Sequence, residues 1–346
     1  MLRILSTPKM KPDEKITLAH GGGGRLSRDF IKKVLLRYFG NPILSELQDA
    51  AIIDLTGNRV AFTTDSHVVK PLFFPGGDIG KLAVAGTIND LAVVGAQPLY
   101  LSCGLIIEEG FELGQLERIL GSMQETARKA GVKVVAGDTK VVEKKGADQL
   151  FINTAGIGLI RKDRCLSPVG PGIGDKIIIN GGLGEHEAAV ISSREGFDFE
   201  TEVVSDCAPL NEMIQGILKV SPNVKWMRDP TRGGLAAILN ELVEGKPFGI
   251  RIEEAQIPLK EAVKGICELL GFDPLYMVNE GKVVLVVAWE DADRVLKIMQ
   301  KHPLGGESHI IGEIVPEPEG KVVLKTEVGG HRVVDMMVGE MLPRIC

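Results

Sequence analysis

TTDSHVVKPLFFPGGDIGKLAVAGTINDLAVVGA, residues 63–96, holds the reading on which the fold turns. Its first residues close a strand on Asp65, and a long helix is expected over 79–94. That helix is rich in Ala and Val, so it should be buried on most sides, and its few polar members, Lys81, Asn89 and Asp90, become conspicuous. Upstream, AAIIDL and RVAFTTD read as a hairpin turning at Gly57-Asn58. Before it, HGGGGRLS at 20–27 reads as a flexible loop with Ser27 as N-cap, leading into a helix over 28–39. Residues 1–15 read as a loose lead-in. Downstream come a strand at 98–107, an amphipathic helix over 113–131 ending in glycine, a strand through VKVVAGDT ending at Asp138, and a strand at 150–160. Strands and helices in this mixture predict a layered α/β (α+β) domain.

Prolines, glycines and charges crowd residues 161–175, which marks a boundary. The pattern then resumes with strands at 176–180, 249–252, 282–288, 309–315 and 321–326. Helices are expected at 184–192, 208–218, 231–244, 260–270 and 290–301. The expected division is 1–163, 164–327 and a mobile, mostly irregular tail over 328–346. A length of 346 residues suits two domains at about 150 residues each. A net charge of −6 supplies no basic field for nucleic acid or an anionic membrane. Cysteines at 103, 165, 207, 267 and 346 form no CxxC pair, the internal ones reading as packing residues. The N-terminus lacks the apolar core of a signal peptide, and the apolar run at 283–289 is far short of a membrane span. A cytoplasmic protein is therefore expected.

Among the chemistry-bearing residues, the carboxylates carry most weight. Asp65 and Asp138 at strand ends and Asp90 in an apolar helix suit a hard cation such as Mg²⁺, because a buried carboxylate needs a partner. They serve equally as caps or internally paired acids. The glycines of HGGGGRLS can wrap an anion or form a plain mobile loop, and Lys81 could neutralise a nearby phosphate. In RDPTRGG, Asp229 precedes Pro230 at the start of a helix that could receive an anion or simply be well capped. Glu280 at a turn is a base or an ordinary turn acid. No HExxH or GxSxG occurs, so neither a zinc site nor a serine triad is supported. Cys346, the last residue, reads equally as an incidentally exposed thiol or as a reactive carrier that Arg344 could activate against its own carboxylate.

Taken together, GGGGR, the 63–96 stretch, VVAGDTKVV, GLGEHEAAV, RDPTRGGLA, NEG and the terminal PRIC resemble the carbamoyl-dehydratase hydrogenase maturation factors, the HypE family, over nearly the whole chain. These belong to the aminoimidazole ribonucleotide synthetase-like ATP-binding superfamily. The resemblance implies a two-domain fold whose N-terminal sheets pair into a barrel across a homodimer, with a C-terminal sheet-and-helix domain. It implies an ATP site holding Mg²⁺, with Asp65, Asp90, Asp138 and Asp229 as metal and phosphate positions. Lys81 and Asn89 match phosphate-region positions, and Gly21, Gly22, Gly23, Gly24 and Arg25 match the nucleotide loop. Glu280 and Asp229 match contributions of the C-terminal domain. Cys346 matches the cysteine that carries the substrate. The implied reaction dehydrates an S-carboxamide on Cys346 to a thiocyanate, with Glu280 as proton acceptor and Asp90 assisting. The implied partners are the carbamoyltransferase HypF, which loads the thiol, and the iron-carrying scaffold complex HypC–HypD. A related ATP-dependent ligase without a terminal thiol, or a nucleotide-sensing scaffold, would share part of this framework.

Overall fold

The computed structural model describes residues 15–162, 166–167, 169–194, 202–337 and 344–346. The lead-in up to residue 14, Cys165 and tail residues 338–343 lie outside the described residues. Helix α1 (Arg25–Phe30) runs through a π-helical turn at Ile31–Leu35 into α2 (Leu36–Phe39). It starts three residues before the expected start, with Gly24 as N-cap, and Ser27 lies inside it. The Arg25 amide donates to Met337 O at 3.0 Å, so a tertiary contact satisfies a group that a serine cap would otherwise serve.

Strands β1 (Ala51–Leu55) and β2 (Asn58–His67) form the expected hairpin, and β2 continues two residues past Asp65. The short pair β3 (Phe73–Phe74) and β4 (Gly77–Asp78) leads into α3 (Ile79–Val93), which Asp78 caps by accepting from the amides of Gly80 and Lys81. Strand β5 (Ala96–Glu108), helix α4 (Leu113–Ala130), β6 (Lys133–Val142) and β7 (Leu150–Ile160) complete a sheet of order β1-β2-β7-β5-β6. Only β5 and β6 are parallel, as a crossover through α4 requires. Asp138 therefore lies in the middle of an edge strand rather than at a strand end.

The second sheet begins with β8 (Lys176–Ile179), α5 (Glu185–Ser192), α6 (Asn211–Val220) and β9 (Val224–Arg228). It continues through α7 (Gly234–Val243), β10 (Gly249–Glu253), α8 (Glu261–Leu270), β11 (Val284–Val287), α9 (Trp289–Gln300), β12 (His309–Val315), β13 (Val322–Lys325) and β14 (His331–Val334). Its strand order is β14-β13-β10-β12-β8-β11-β9. Two of these strands depart from expectation. Strand β9 carries Lys225 and Arg228, which hide its apolar signal and are paired with Asp175 and Asp49. Strand β14 lies inside the stretch read as irregular tail, held by pairing with β13 and by Asn240 Nδ2 donating to Val334 O.

Helix α3 joins the two halves. Of its residues only Lys81 and Asp90 escape burial, which explains why its hydrophobicity shows no one-sided stripe. One side packs on β2, β5 and β7, the other against α4, α6 and β9. Asn89 is the bracket between them: its amide nitrogen donates to Ala208 O and Glu280 O, and its oxygen accepts from Leu210 N. No helix among the described residues is long and apolar enough to cross a membrane.

Candidate active site

A cleft of about 1750 Å³ opens where the C-terminal end of α3 meets the loops of the second sheet. Three carboxylates converge in it. Asp49 comes from the loop before β1, Asp90 from the last turn of α3 and Asp229 from the loop after β9. Oxygens of all three lie within 4.8 Å of one another. Thr63 Oγ1 on β2 stands 2.8 Å from Asp90 Oδ2, and Arg228 pairs with Asp49.

Burial is the first reason these acids hold their protons, and mutual repulsion adds to it. Asp49 is pushed up to about 6 against the pull of Arg228. Asp229 reaches about 8, with the charge of Asp49 next in weight after burial. Asp90 is raised well above the usual range by burial and then by Asp229, Asp65 and Asp49. Three like charges at this spacing, Asp229 buried and the other two half-buried, need protons or a cation, and an all-oxygen donor set fits a hard divalent ion.

Asp65, His67 and Glu280 form a second group beside the first. A Cβ added to Gly86 on α3 would stand 3.2 Å from His67 Cε1, 3.4 Å from Asp65 Oδ2 and 3.9 Å from Glu280 Oε2. The three side chains thus meet over a bare patch of helix backbone. Glu280 is buried, and burial followed by the charges of Asp229 and Asp65 raises its carboxyl well above the ordinary value. Its backbone is clamped, the amide donating to Asp206 Oδ1 at 3.1 Å and the carbonyl accepting from Asn89. Behind it, Lys282 bridges Asp206 and Glu185 at 3.1 and 3.0 Å.

The next residue, Gly281, has no room for a side chain: a Cβ there would fall 1.8 Å from the Asp206 carbonyl oxygen. Gly281→Ala must push this loop off Asp206. We expect a loss of about 2–4 kcal/mol in urea-unfolding stability.

Cys346 lines the same cleft as these acids. The expectation of an exposed thiol activated by Arg344 is corrected here. The residue is half-buried, and burial pushes its thiol well above the free value, opposed chiefly by Arg232. Arg344 points elsewhere, donating through Nε to Val68 O and pairing with Asp148. Arg232 lies 3.9 Å from Asp65 Oδ1 and donates to Gly21 O at 3.2 Å. The glycine loop packs against it so closely that a Cβ on Gly23 (φ +83°) would sit 2.6 Å from Arg232 Cβ.

The proposed site residues divide accordingly. Asp65, Asp90, Asp229, Glu280, Cys346 and Gly23 share the cleft, while Gly21 and Gly22 line a smaller cavity of about 180 Å³ on the other side of Cys346. Arg25 is exposed at the start of α1, and Gly24 caps that helix. Lys81 donates to Gly76 O at 2.7 Å, and neither it nor Asn89 lines the cleft. Asp138 is absent from the carboxylate cluster of its own chain. It lies exposed on β6, where the Lys140 ammonium at 3.1 Å holds its carboxyl below the usual value. Sequence reasoning missed Asp49, a loop acid with no motif, and Arg232, whose charge inside RDPTRGG was the available signal.

Known proteins place this geometry. Residues 47–160 match the family described as AIR synthase related protein, N-terminal domain, and residues 172–325 match its C-terminal domain. The carbamoyl dehydratase HypE of Cupriavidus necator is 47% identical over 96% of this chain and 95% of its own length. A putative hydrogenase expression/formation protein of Methanocaldococcus jannaschii is 48% identical over 96% of this chain and 100% of its own. Among solved structures, a HypE–HypF complex superimposes with a TM-score of 0.84 at 46% identity, covering 89% of this chain and 99% of that one. A hydrogenase maturation protein HypE in complex with ATP gives 0.80 at 44% identity, covering 96% and 100%. The terminal cysteine inside an acid-lined cleft, on a fold shared along nearly its whole length with these proteins, makes this chain a member of the carbamoyl dehydratase HypE family.

Proposed function

We infer that this chain is an ATP-dependent carbamoyl dehydratase that converts an S-carboxamide on its own Cys346 into a thiocyanate, for the cyanide ligands of a [NiFe] hydrogenase iron centre. The observation that carries this is the position of Cys346 in one cleft with Glu280, Asp65 and Arg232. Relatives named carbamoyl dehydratase and one solved with ATP support it.

The change is from S–C(=O)–NH₂ to S–C≡N, so one carbon–oxygen bond breaks and two N–H protons leave. Mg-ATP, when bound, supplies the phosphoryl group that makes the amide oxygen a leaving group, and phosphate carries that oxygen away. Asp49, Asp90 and Asp229 would hold the cation, with Asp65 at its flank. Glu280 takes one proton from the amide nitrogen, since burial gives it a basicity that a solvated glutamate lacks, and the second leaves on the departing phosphate. Arg232 offsets the acidic field around the sulfur. The carbamoyl group must be kept from water while it reacts.

A carbamoyltransferase of the HypF type loads the thiol, as the HypE–HypF complex of a relative suggests, and an iron-carrying HypC–HypD complex receives the cyano group. Loading requires the tail to swing out of the cleft and return. A second copy completes the assembly. The outer face of the first sheet presents Phe62, Ile157 and Tyr100 in register on three adjacent strands, all exposed. Edge strand β6 is exposed along nearly its whole length, so two such sheets can close a barrel and leave Asp138 and the glycine loop available to the nucleotide.

Mass analysis of the C-terminal peptide tests the function. Carbamoylated protein given Mg-ATP should lose one water equivalent at Cys346 and release ADP and phosphate. The same protein without ATP should keep the carboxamide, and loss of water there would sink the assignment.

A further inference from the structure

The last three residues rest in a site built from parts far apart in the chain. The Arg344 carbonyl accepts from the Lys70 amide at 3.1 Å and from Arg194 Nη2 at 2.9 Å. The Ile345 side chain is buried in the core between the two halves. The Ile345 carbonyl lies 2.9 Å from His186 Nε2, and His186 itself is fully buried.

The hydrogen-bond roles around His186 admit one consistent assignment. Ile345 O can only accept, so Nε2 carries the proton. Burial disfavours the charged ring, so Nδ1 is an acceptor. Ser205 Oγ, 2.8 Å from Nδ1, supplies the donor and in turn accepts from the Cys207 amide. Phe74 meets the ring edge-on at 5.3 Å between centroids, which leaves little freedom to rotate. Ser205 is held through its own amide by Pro75 O. The charged groups facing this site are Asp206 and the Arg194 guanidinium on the tail backbone.

We propose that His186 is a positioning residue for the dehydration: its Nε2–H grips the Ile345 carbonyl and so presents the Cys346 carboxamide to Glu280. The bond lies one residue from the reacting sulfur, on the backbone, so it works whatever group the sulfur carries. Ser205 fixes the ring's tautomer, and Arg194 holds the preceding carbonyl. This rests on the dehydratase reading.

The test uses the full-length protein and three variants. His186→Leu removes the donor. His186→Gln keeps an N–H at nearly the position of Nε2. Arg194→Met removes the neighbouring donor and serves if His186→Leu does not fold. Two rates are read. In the first, unloaded protein is alkylated at Cys346 with iodoacetamide and no nucleotide, which reports how often the tail leaves. His186→Leu should be alkylated about tenfold faster, the worth of one hydrogen bond, with His186→Gln close to the parent. In the second, carbamoylated protein given Mg-ATP is followed through one turnover. His186→Leu should form thiocyanate about tenfold more slowly, with loading by the carbamoyltransferase undiminished. Parent-like alkylation and turnover in His186→Leu, or in Arg194→Met where that variant stands in, would overturn the proposal. Failure of the Gln variant to rescue would also do so. If no variant or parent makes thiocyanate, the dehydratase reading falls, while the alkylation contrast still judges the grip.

Discussion

Glu280→Gln is expected to slow thiocyanate formation on preloaded protein by about 10²–10⁴-fold, the span that a positioned general base contributes. The amide is nearly isosteric and keeps the backbone clamp to Asp206 and Asn89, so nucleotide binding and fold should persist. The pH profile supplies a second reading. Burial raises the Glu280 carboxyl, so its basic form is gained only as pH climbs beyond the ordinary glutamate range. Single-turnover rates of the parent should therefore rise with pH through that shifted value, and those of Glu280→Gln should be flat over the same window. Equal rates in parent and variant would remove Glu280 from the proton path.

Asp229→Asn should lower turnover by about 10²-fold or more, because the cation that screens the phosphates would lose one of its three carboxylates. It should also reshape stability. In the metal-free fold Asp229 holds its proton up to about 8 and Asp49 up to about 6, whereas an unfolded aspartate releases it near 3.8. Between these values the folded chain binds more protons than the unfolded one. Stability is then complete at low pH and is lost as pH rises, first through Asp49 and then through Asp229. Mg²⁺ should restore it, so the gain in Tm on adding Mg²⁺ should be larger at pH 8 than at pH 5. Asp229→Asn should blunt both the pH slope and the Mg²⁺ gain in thermal-denaturation scans. A variant whose Tm responds to Mg²⁺ and pH like the parent would show that the three acids do not share a cation.

Much of the framework was readable because the signals are local. The hairpin at 51–67, the buried helix 79–93 and strand 150–160 follow from alternation, from Ala and Val content and from turn residues, which act within a few positions of themselves. Where a distant contact supplied the stabilising group, the reading failed. Helix α1 starts at Arg25, whose amide Met337 O satisfies, and β14 forms because β13 offers an edge. Strand β9 hid behind charges that Asp175 and Asp49 neutralise.

The site divides along the same line. Sequence alone determined which residue types were out of place: acids in an apolar helix and beside turns, a glycine run, a cysteine at the chain's end. Family resemblance attached a reaction to them. Tertiary structure decided their company. It joined Asp49 to Asp90 and Asp229, left Asp138 exposed on an edge strand, turned Asn89 into a bracket and drew Cys346 inward under the grip of His186. The physical reason is range. Backbone preferences and hydrophobic period act over a few residues, whereas the charge and burial that set a carboxyl's proton, or hold a tail in a cleft, come from whatever segments the finished fold packs around it.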